Sequence, residues 1–127
     1  MSSCVKCRLH ETCRTVKVAS RGSPTPSVLF VGEAPGAEED QKGKAFVGPA
    51  GQLLEQAIKE YGLTPCFISN TVRCQPPGNR VPRVDEVEAC LPYLKEEIKR
   101  MRPKFIVTLG NTALKALTGL TGINSFS

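Results

Sequence analysis

The sequence predicts a single α/β domain, because three short apolar runs alternate along the chain with segments of helical periodicity. The chain has 127 residues, 40% of them hydrophobic, which suits one domain with its own core. Parallel strands joined by right-handed crossovers are the usual result of such alternation. We therefore predict a basic, Cys-bearing arm (1–26), an α/β core (27–119) and an altered or truncated terminus (120–127).

Three segments rich in β-branched and aromatic residues predict buried parallel strands, at 27–31, 66–70 and 104–109. The carboxyl ends of parallel strands lie along one edge of a sheet, where ligands bind. The loops that follow Val31, Asn70 and Leu109 are therefore expected to share a rim.

Apolar residues recur at steps of three and four over 49–61 and 83–101, which predicts two amphipathic helices. Gly62 stands where the C-cap of the first helix belongs. A third helix is predicted to begin at 111. Between these elements we expect a long polar loop over 32–48 and a rigid loop over 75–82, whose three prolines exclude an interior strand or a helix.

The charge of the chain is uneven, because residues 1–21 supply +4 of the net +5. A basic flank suits a polyanion, although a solvated, mildly basic surface is the commoner explanation of so small an excess. The longest purely apolar run, 28–31, is too short to span a membrane, and the first residues contain no apolar stretch of signal-peptide length. We predict a soluble, cytoplasmic monomer that does not associate with membranes.

Six cysteines in a chain without an export signal favour metal binding or plain burial over disulfides. Cys4 and Cys7 form a C-x2-C pair, and Cys74 and Cys90 could close the other side of one metal centre. The spacing does not distinguish a zinc site from a 4Fe-4S cluster, and burial of Cys74 and Cys90 as small hydrophobes remains an alternative. Cys66 opens a predicted strand and is expected in the core.

The loop after the first predicted strand is rich in glycine and acidic residues. A glycine-rich turn after a strand often cradles phosphate, but Glu33 would put a carboxylate into that cradle. The loop also lacks the G-K-[ST] sequence of a nucleoside triphosphate site. The sequence therefore predicts no nucleotide cofactor.

Several motifs in order, from Cys4 to about Gly119, closely resemble the family 4 uracil-DNA glycosylases, the iron–sulfur branch of the uracil-DNA glycosylase superfamily. These motifs are GEAPG, E-E-D, GKAFVGPAGQLL, ISN, RCQPPGNR and the paired cysteines. The resemblance implies a three-layer α/β fold of the uracil-DNA-glycosylase type. It also implies hydrolysis of the N-glycosidic bond of uracil in DNA during base-excision repair, and a structural 4Fe-4S cluster held by Cys4, Cys7, Cys74 and Cys90.

The resemblance assigns roles to four residues of the loops on the predicted rim. Glu33 matches the catalytic carboxylate, which would stabilise a cationic sugar and orient or deprotonate a water. Phe46 matches the residue that stacks on an extruded base, and Asn70 matches the amide that reads its edge. Glu39 matches the residue near the C5 edge of the base. The alternatives are a core phenylalanine, a turn-forming asparagine and a solvated acidic run.

Basic residues close to these loops form the candidate set for contacts with DNA phosphates. Together with the basic arm they are Lys42, Lys44, Arg73, Arg80 and Arg83. Solvated surface charge is the alternative for some of them.

The sequence departs from the family pattern in one respect. A His in a late His-Pro motif supplies the donor for the departing base anion in the family, whereas the only histidine here is His10. We therefore expect a C-terminally shortened or altered form without the fourth parallel strand, which would leave an exposed sheet edge. A second hypothesis follows, a catalytically impaired iron–sulfur DNA-binding fragment, and a structural zinc protein is the third.

Overall fold

The computed structural model describes residue 9 and residues 20–121. In that part of the chain the strands are β1 (Arg21–Gly22), β2 (Val28–Gly32), β3 (Cys66–Asn70) and β4 (Phe105–Thr108). The helices are α1 (Ala37–Lys42), α2 (Pro49–Tyr61), α3 (Val84–Met101) and α4 (Asn111–Thr121). Most of the predicted arm and residues 122–127 of the predicted altered terminus lie outside the described residues.

The strands form one sheet in the order β1-β3-β2-β4. β2 pairs in parallel with both β3 and β4, which confirms the three predicted parallel strands. The sheet is nevertheless mixed and not purely parallel, because β1 pairs antiparallel with β3, with Arg21 opposite Ile68. The sequence did not indicate β1, since two residues are too few to show an alternation of apolar and polar side chains.

The fourth strand of the described sheet therefore lies beside β3 and belongs to the segment predicted as an arm. A further parallel strand beyond β4 is not among residues 20–121. β4 forms the outer edge of this sheet, and 65% of Phe105 and 38% of Val107 are exposed there.

Helices cover both faces of the sheet, which gives the predicted three layers. One face packs against α3 and α4 through a buried cluster of Leu29, Val31, Phe67, Leu94, Ala113 and Leu117. The opposite face packs against α2 and the preceding loop through Val28, Phe30, Ala45, Ile58 and Ile68. Side chains of β2 point alternately into both clusters, so this strand is apolar throughout, as expected for a parallel strand buried on two sides.

The two long predicted helices are confirmed, with Gly62 as the C-cap of α2. The prediction of a long polar loop over 32–48 is wrong for part of that segment, because residues 37–42 form the helix α1. A helix of fewer than two turns shows no apolar periodicity in sequence. The loop over 75–82 contains a 3-10 turn, Pro77–Asn79, which tolerates proline at its first position. No helix in residues 20–121 is long and apolar enough to cross a membrane.

Candidate active site

The carboxyl ends of the three parallel strands lie side by side, as predicted. Gly32, the last residue of β2, is the register partner of Asn70 at the end of β3. Thr71 donates hydrogen bonds from both its backbone N–H and its hydroxyl to the Gly32 carbonyl, each 2.8 Å long. The Leu109 N–H donates to the Val31 carbonyl at 2.8 Å, so the chain after β4 reaches the same edge.

A cavity of about 210 Å³ opens on this rim. Its lining residues are Ala34, Gly36, Glu39, Phe46, Ala50 and Asn70. The structure thus brings together Glu39, Phe46 and Asn70, the three residues predicted to bind a base. The cavity is smaller than ordinary ligand pockets, which fits a single ring system better than a larger ligand.

Phe46 and Asn70 converge above the end of β2. A Cβ atom at Gly32 would lie 2.4 Å from Phe46 Cζ and 2.8 Å from Asn70 Oδ1. The close approach of the ring therefore requires glycine at position 32. Gly51 of α2 is equally constrained, because a Cβ there would lie 1.9 Å from the Phe46 carbonyl oxygen. The ring wall of the cavity is thus built from contacts that only glycine permits.

Asn70 carries an unsatisfied acceptor. Its side chain is 3% exposed, and Oδ1 has no hydrogen-bond partner among the described residues. A buried polar atom without a partner costs about 1–3 kcal/mol, so such an atom calls for an explanation. A ligand donor bound in the cavity would supply the missing hydrogen bond.

The Glu39 carboxylate holds the loop that forms the cavity. Oε1 accepts a hydrogen bond from the Gly36 N–H at 3.0 Å, and Oε2 accepts from the N–H groups of Val47 and Gly48 at 2.9 and 2.7 Å. Gly36 and Gly48 are the N-caps of α1 and α2, so one carboxylate satisfies donors at two helix N-termini. The alternative of a solvated acidic run is wrong for Glu39; it suits Glu38, which is exposed.

Glu33 follows Gly32 directly but does not line the cavity. Its half-buried carboxylate accepts a 2.6 Å hydrogen bond through Oε2 from the hydroxyl of Thr112. Thr112 lies in the first turn of α4, so this hydrogen bond connects the loop after β2 to the helix after β4. The structure therefore puts Glu33 on the rim beside the cavity, held by a residue 79 positions away.

Arg73 is inside the protein, and its prediction as a phosphate contact is wrong. It is 4% exposed, and both terminal nitrogens donate to the carboxylate of Glu97 on α3 at 2.9 Å. Ser69 also donates to Glu97, at 2.6 Å. Burial alone would raise the pKa of Glu97, but the hydrogen bonds and charge of Arg73, with the Ser69 hydroxyl, hold the pKa below its usual range.

The other predicted phosphate contacts differ in how far their charge is compensated. Arg80 donates from both terminal nitrogens to Glu86, each at 2.8 Å, and this pairing raises the pKa of Arg80. Its guanidinium is therefore committed to the first turn of α3. Lys42, Lys44 and Arg83 are exposed and stay candidates for contact with phosphate.

Cys74 and Cys90 lie in one buried cluster, 4% and 3% exposed. Leu9, fully buried, packs into the same cluster. Cys4 and Cys7 lie outside the described residues. Within the described part of the chain no three His, Cys, Asp or Glu residues come together as a metal site.

Cys66, at the start of β3, is half-buried and packs against the buried cluster of that face, in agreement with its predicted place at the core. Burial raises the pKa of its thiol, opposed by the charge of Arg21 and reinforced by that of Glu55.

Sequence reasoning missed several residues that support this site. Arg21 donates to the carbonyls of Ala45 and Phe46, and Thr112 binds Glu33. No local pattern indicates such contacts, because the partners are far apart along the chain. Gly51 belongs to the GKAFVGPAGQLL motif, but its close approach to Phe46 was not predicted from the sequence.

The fold and the cavity define the class of this protein. Residues 19–126 match the family model described as the uracil DNA glycosylase superfamily, and the chain belongs to that superfamily.

Within the superfamily the chain is similar to curated type-4 uracil-DNA glycosylases, which confirms the resemblance found in the motifs. It is 49% identical over 125 residues to the one from Sulfurisphaera tokodaii, covering 96% of this chain and 56% of that protein. It is 47% identical over 124 residues to the one from Pyrobaculum aerophilum, covering 96% of this chain and 63% of that protein. The one from Archaeoglobus fulgidus is 43% identical, with 93% and 60% covered. The chain thus spans little more than half the length of these relatives.

Proposed function

We propose that this chain is a uracil-DNA glycosylase that hydrolyses the N-glycosidic bond of uracil in DNA, the first step of base-excision repair. The observation that carries the proposal is the buried Oδ1 of Asn70, which lacks a partner among the described residues beside a cavity walled by Phe46. A base reaches such a cavity only after it leaves the helix. The names of the type-4 relatives support the same activity.

Base recognition follows from the chemistry of the cavity. The Phe46 ring offers an aromatic face to an extruded pyrimidine, and Asn70 accepts from uracil N3–H while its amide group donates to O4. Cytosine presents an acceptor and a donor in the reverse order, so the same amide disfavours it. Glu39, held by three backbone N–H groups, forms a fixed wall near the C5 edge and excludes the methyl group of thymine.

Bond cleavage creates a cationic, oxocarbenium-like sugar and an anionic base. A sugar attached to a base in the cavity lies outside it, on the rim that carries Glu33. The Glu33 carboxylate stabilises the cation and orients or deprotonates the attacking water. Thr112 keeps this carboxylate in place through its 2.6 Å hydrogen bond.

We propose that Cys4, Cys7, Cys74 and Cys90 hold a structural 4Fe-4S cluster. The burial of Cys74 and Cys90 in one cluster with Leu9 supports this set. Leu9 is two residues after Cys7, and two residues span at most about 7 Å, so Cys7 is within reach. Thiolates are the ligands that iron–sulfur clusters use, and the bound group would fasten the N-terminal segment to α3.

Protein purified without oxygen is expected to be brown and to contain iron and sulfide, with both lost in Cys90→Ala. Cys66→Ala is the matched control. Cys66 packs on the other face of the sheet, away from Cys74 and Cys90, so its loss should leave the iron–sulfur cluster intact. Measurements of iron, zinc and acid-labile sulfide in the parent chain and both variants test this prediction. Stoichiometric zinc in place of iron would contradict the cluster.

The DNA-binding surface in this proposal consists of Lys42, Lys44 and Arg83 with the basic residues of the arm that precede Arg21. These three side chains are exposed around the rim loops, which supports contact with phosphates. A monomeric, cytoplasmic protein with uracil-containing DNA as its partner remains the prediction from the sequence.

One observation favours a second function, a DNA-binding fragment with impaired catalysis. His10 is the only histidine of the chain, so the family's histidine donor to the base anion has no counterpart in the motifs found here. Release of free uracil from a uracil-containing oligonucleotide, measured beside retention of that oligonucleotide, separates the two functions. Release supports the enzyme, and retention without release supports the impaired fragment.

Asn70→Asp is expected to weaken uracil recognition and to admit cytosine. A carboxylate accepts from the cytosine N4 amino group but cannot donate to uracil O4. Competition between uracil- and cytosine-containing oligonucleotides measures the change. Undiminished preference for uracil would contradict the role of Asn70.

A further inference from the structure

We propose that Arg21 is a positioning residue that holds Phe46 in its place for stacking on the base. The inference rests on the proposed function. The Arg21 guanidinium donates from Nε to the Ala45 carbonyl at 2.6 Å and from Nη2 to the Phe46 carbonyl at 2.8 Å. Its third nitrogen, Nη1, lies 2.9 Å from Glu55 of α2. Two nitrogens of the guanidinium therefore bind the backbone beside the ring, and the third forms an exposed ion pair outside the base cavity.

Phe46 needs such support because of its own conformation. Its φ is 54°, in the left-handed region that non-glycine residues avoid. The residue also lies between two cavities, the base cavity of about 210 Å³ and a second of about 330 Å³ lined by Arg21 and Gln52 among others. Open space therefore adjoins Phe46 in both cavities, and the hydrogen bonds from Arg21 to the backbone at residues 45 and 46 restrain its position.

Arg21 is placed to fix the distance between the Phe46 ring and the Asn70 side-chain amide. It lies on β1, where its register partner is Ile68 of β3, and Asn70 ends the same strand two residues later. Arg21 therefore joins β1, the strand paired with the one that carries the amide, to the loop that carries the ring. A planar fork with fixed donors is suited to two adjacent carbonyls, which a lysine ammonium would not match.

Arg21→Gln and Arg21→Lys test the inference, with Glu55→Gln as the matched control. Loss of a charge-assisted pair of hydrogen bonds should lower kcat/KM for uracil release about 10- to 100-fold in both arginine variants. Glu55→Gln removes the surface ion pair but leaves both carbonyl contacts, so its kcat/KM should stay near that of the parent chain. A lysine variant with parental activity would show that charge alone suffices and would overturn the geometric role.

A second readout is independent of catalysis. The chain contains no tryptophan, so Phe46→Trp introduces a single indole at the cavity wall, which long-wavelength excitation distinguishes from the two tyrosines. Adding Arg21→Gln to this variant should make the indole more accessible to acrylamide, whereas adding Glu55→Gln should not. Thermal unfolding of every variant separates a local change from loss of the fold.

The outcomes distinguish this inference from the proposed function. If the parent chain releases no uracil, the enzyme proposal fails, and acrylamide quenching still decides the role of Arg21. If Phe46→Trp does not fold, backbone amide exchange at residues 45–47 of Arg21→Gln replaces it, and faster exchange than in Glu55→Gln supports the inference. Unchanged quenching or exchange in a folded Arg21→Gln protein overturns it.

Discussion

Replacing Glu33 by Gln is expected to lower the rate of uracil release by about two to four orders of magnitude and to leave DNA retention unchanged. The amide is neutral, so it neither stabilises a cationic sugar nor accepts a proton from water. Glutamine keeps the shape of the side chain and can still accept from the Thr112 hydroxyl. The loss would therefore reflect chemistry and not a displaced loop.

Single-turnover release of uracil, compared with retention of the same oligonucleotide, measures this effect relative to the parent chain. Glu38→Gln is the control, because Glu38 is an exposed carboxylate of the neighbouring helix α1. Thr112→Val keeps the volume of the side chain and removes the hydroxyl that binds Glu33, so a smaller fall in rate is expected. A parental rate in Glu33→Gln would exclude the carboxylate from catalysis.

Replacing Glu97 by Gln is expected to lower the free energy of unfolding by about 3–5 kcal/mol, because it leaves a buried guanidinium without its counter-charge. Arg73 is 4% exposed, and its Nε already lacks a hydrogen-bond partner among the described residues. A domain of this size has only about 5–15 kcal/mol of stability, so the change removes a large part of it. Urea unfolding of the two proteins gives the comparison.

Glu96→Gln is the matched control, since Glu96 is the exposed neighbour on α3. The double variant Arg73→Met/Glu97→Leu should be more stable than Glu97→Gln, because it removes both charges and leaves neither uncompensated. Equal stability of Glu97→Gln and Glu96→Gln would show that the buried pair contributes nothing.

The same ion pair makes stability depend on acidity. Since the pKa of Glu97 is lower in the folded than in the unfolded protein, its contribution is complete above the unfolded value of 4.5. The contribution of Glu97 to the free energy of unfolding is lost as the pH falls through its pKa in the folded protein. Acidification from pH 4.5 down through the folded pKa should therefore destabilise the parent chain more steeply than Glu97→Gln, which has no carboxylate to protonate at this position.

Local patterns were sufficient for the long elements and for the rim. The apolar spacing of α2 and α3 and the continuous apolar run of β2 follow from burial of one helix face and of two strand faces. The order of strands and helices then implies parallel pairing, which brings Gly32 and Asn70 to one edge. Neither β1 nor α1 was predicted, because each is too short to carry a period.

By itself the sequence determined the class of fold and, through its motifs, the superfamily and the three cavity residues Glu39, Phe46 and Asn70. Only the tertiary structure decided which charged side chains bind other groups of the protein instead of facing solvent. Arg73 binds Glu97, and Arg21 binds the carbonyls of Ala45 and Phe46. An arginine looks the same in a sequence whether it faces solvent or a carboxylate 24 residues away. Its role depends on which groups the packed elements bring within hydrogen-bond distance, and that is a property of the whole fold.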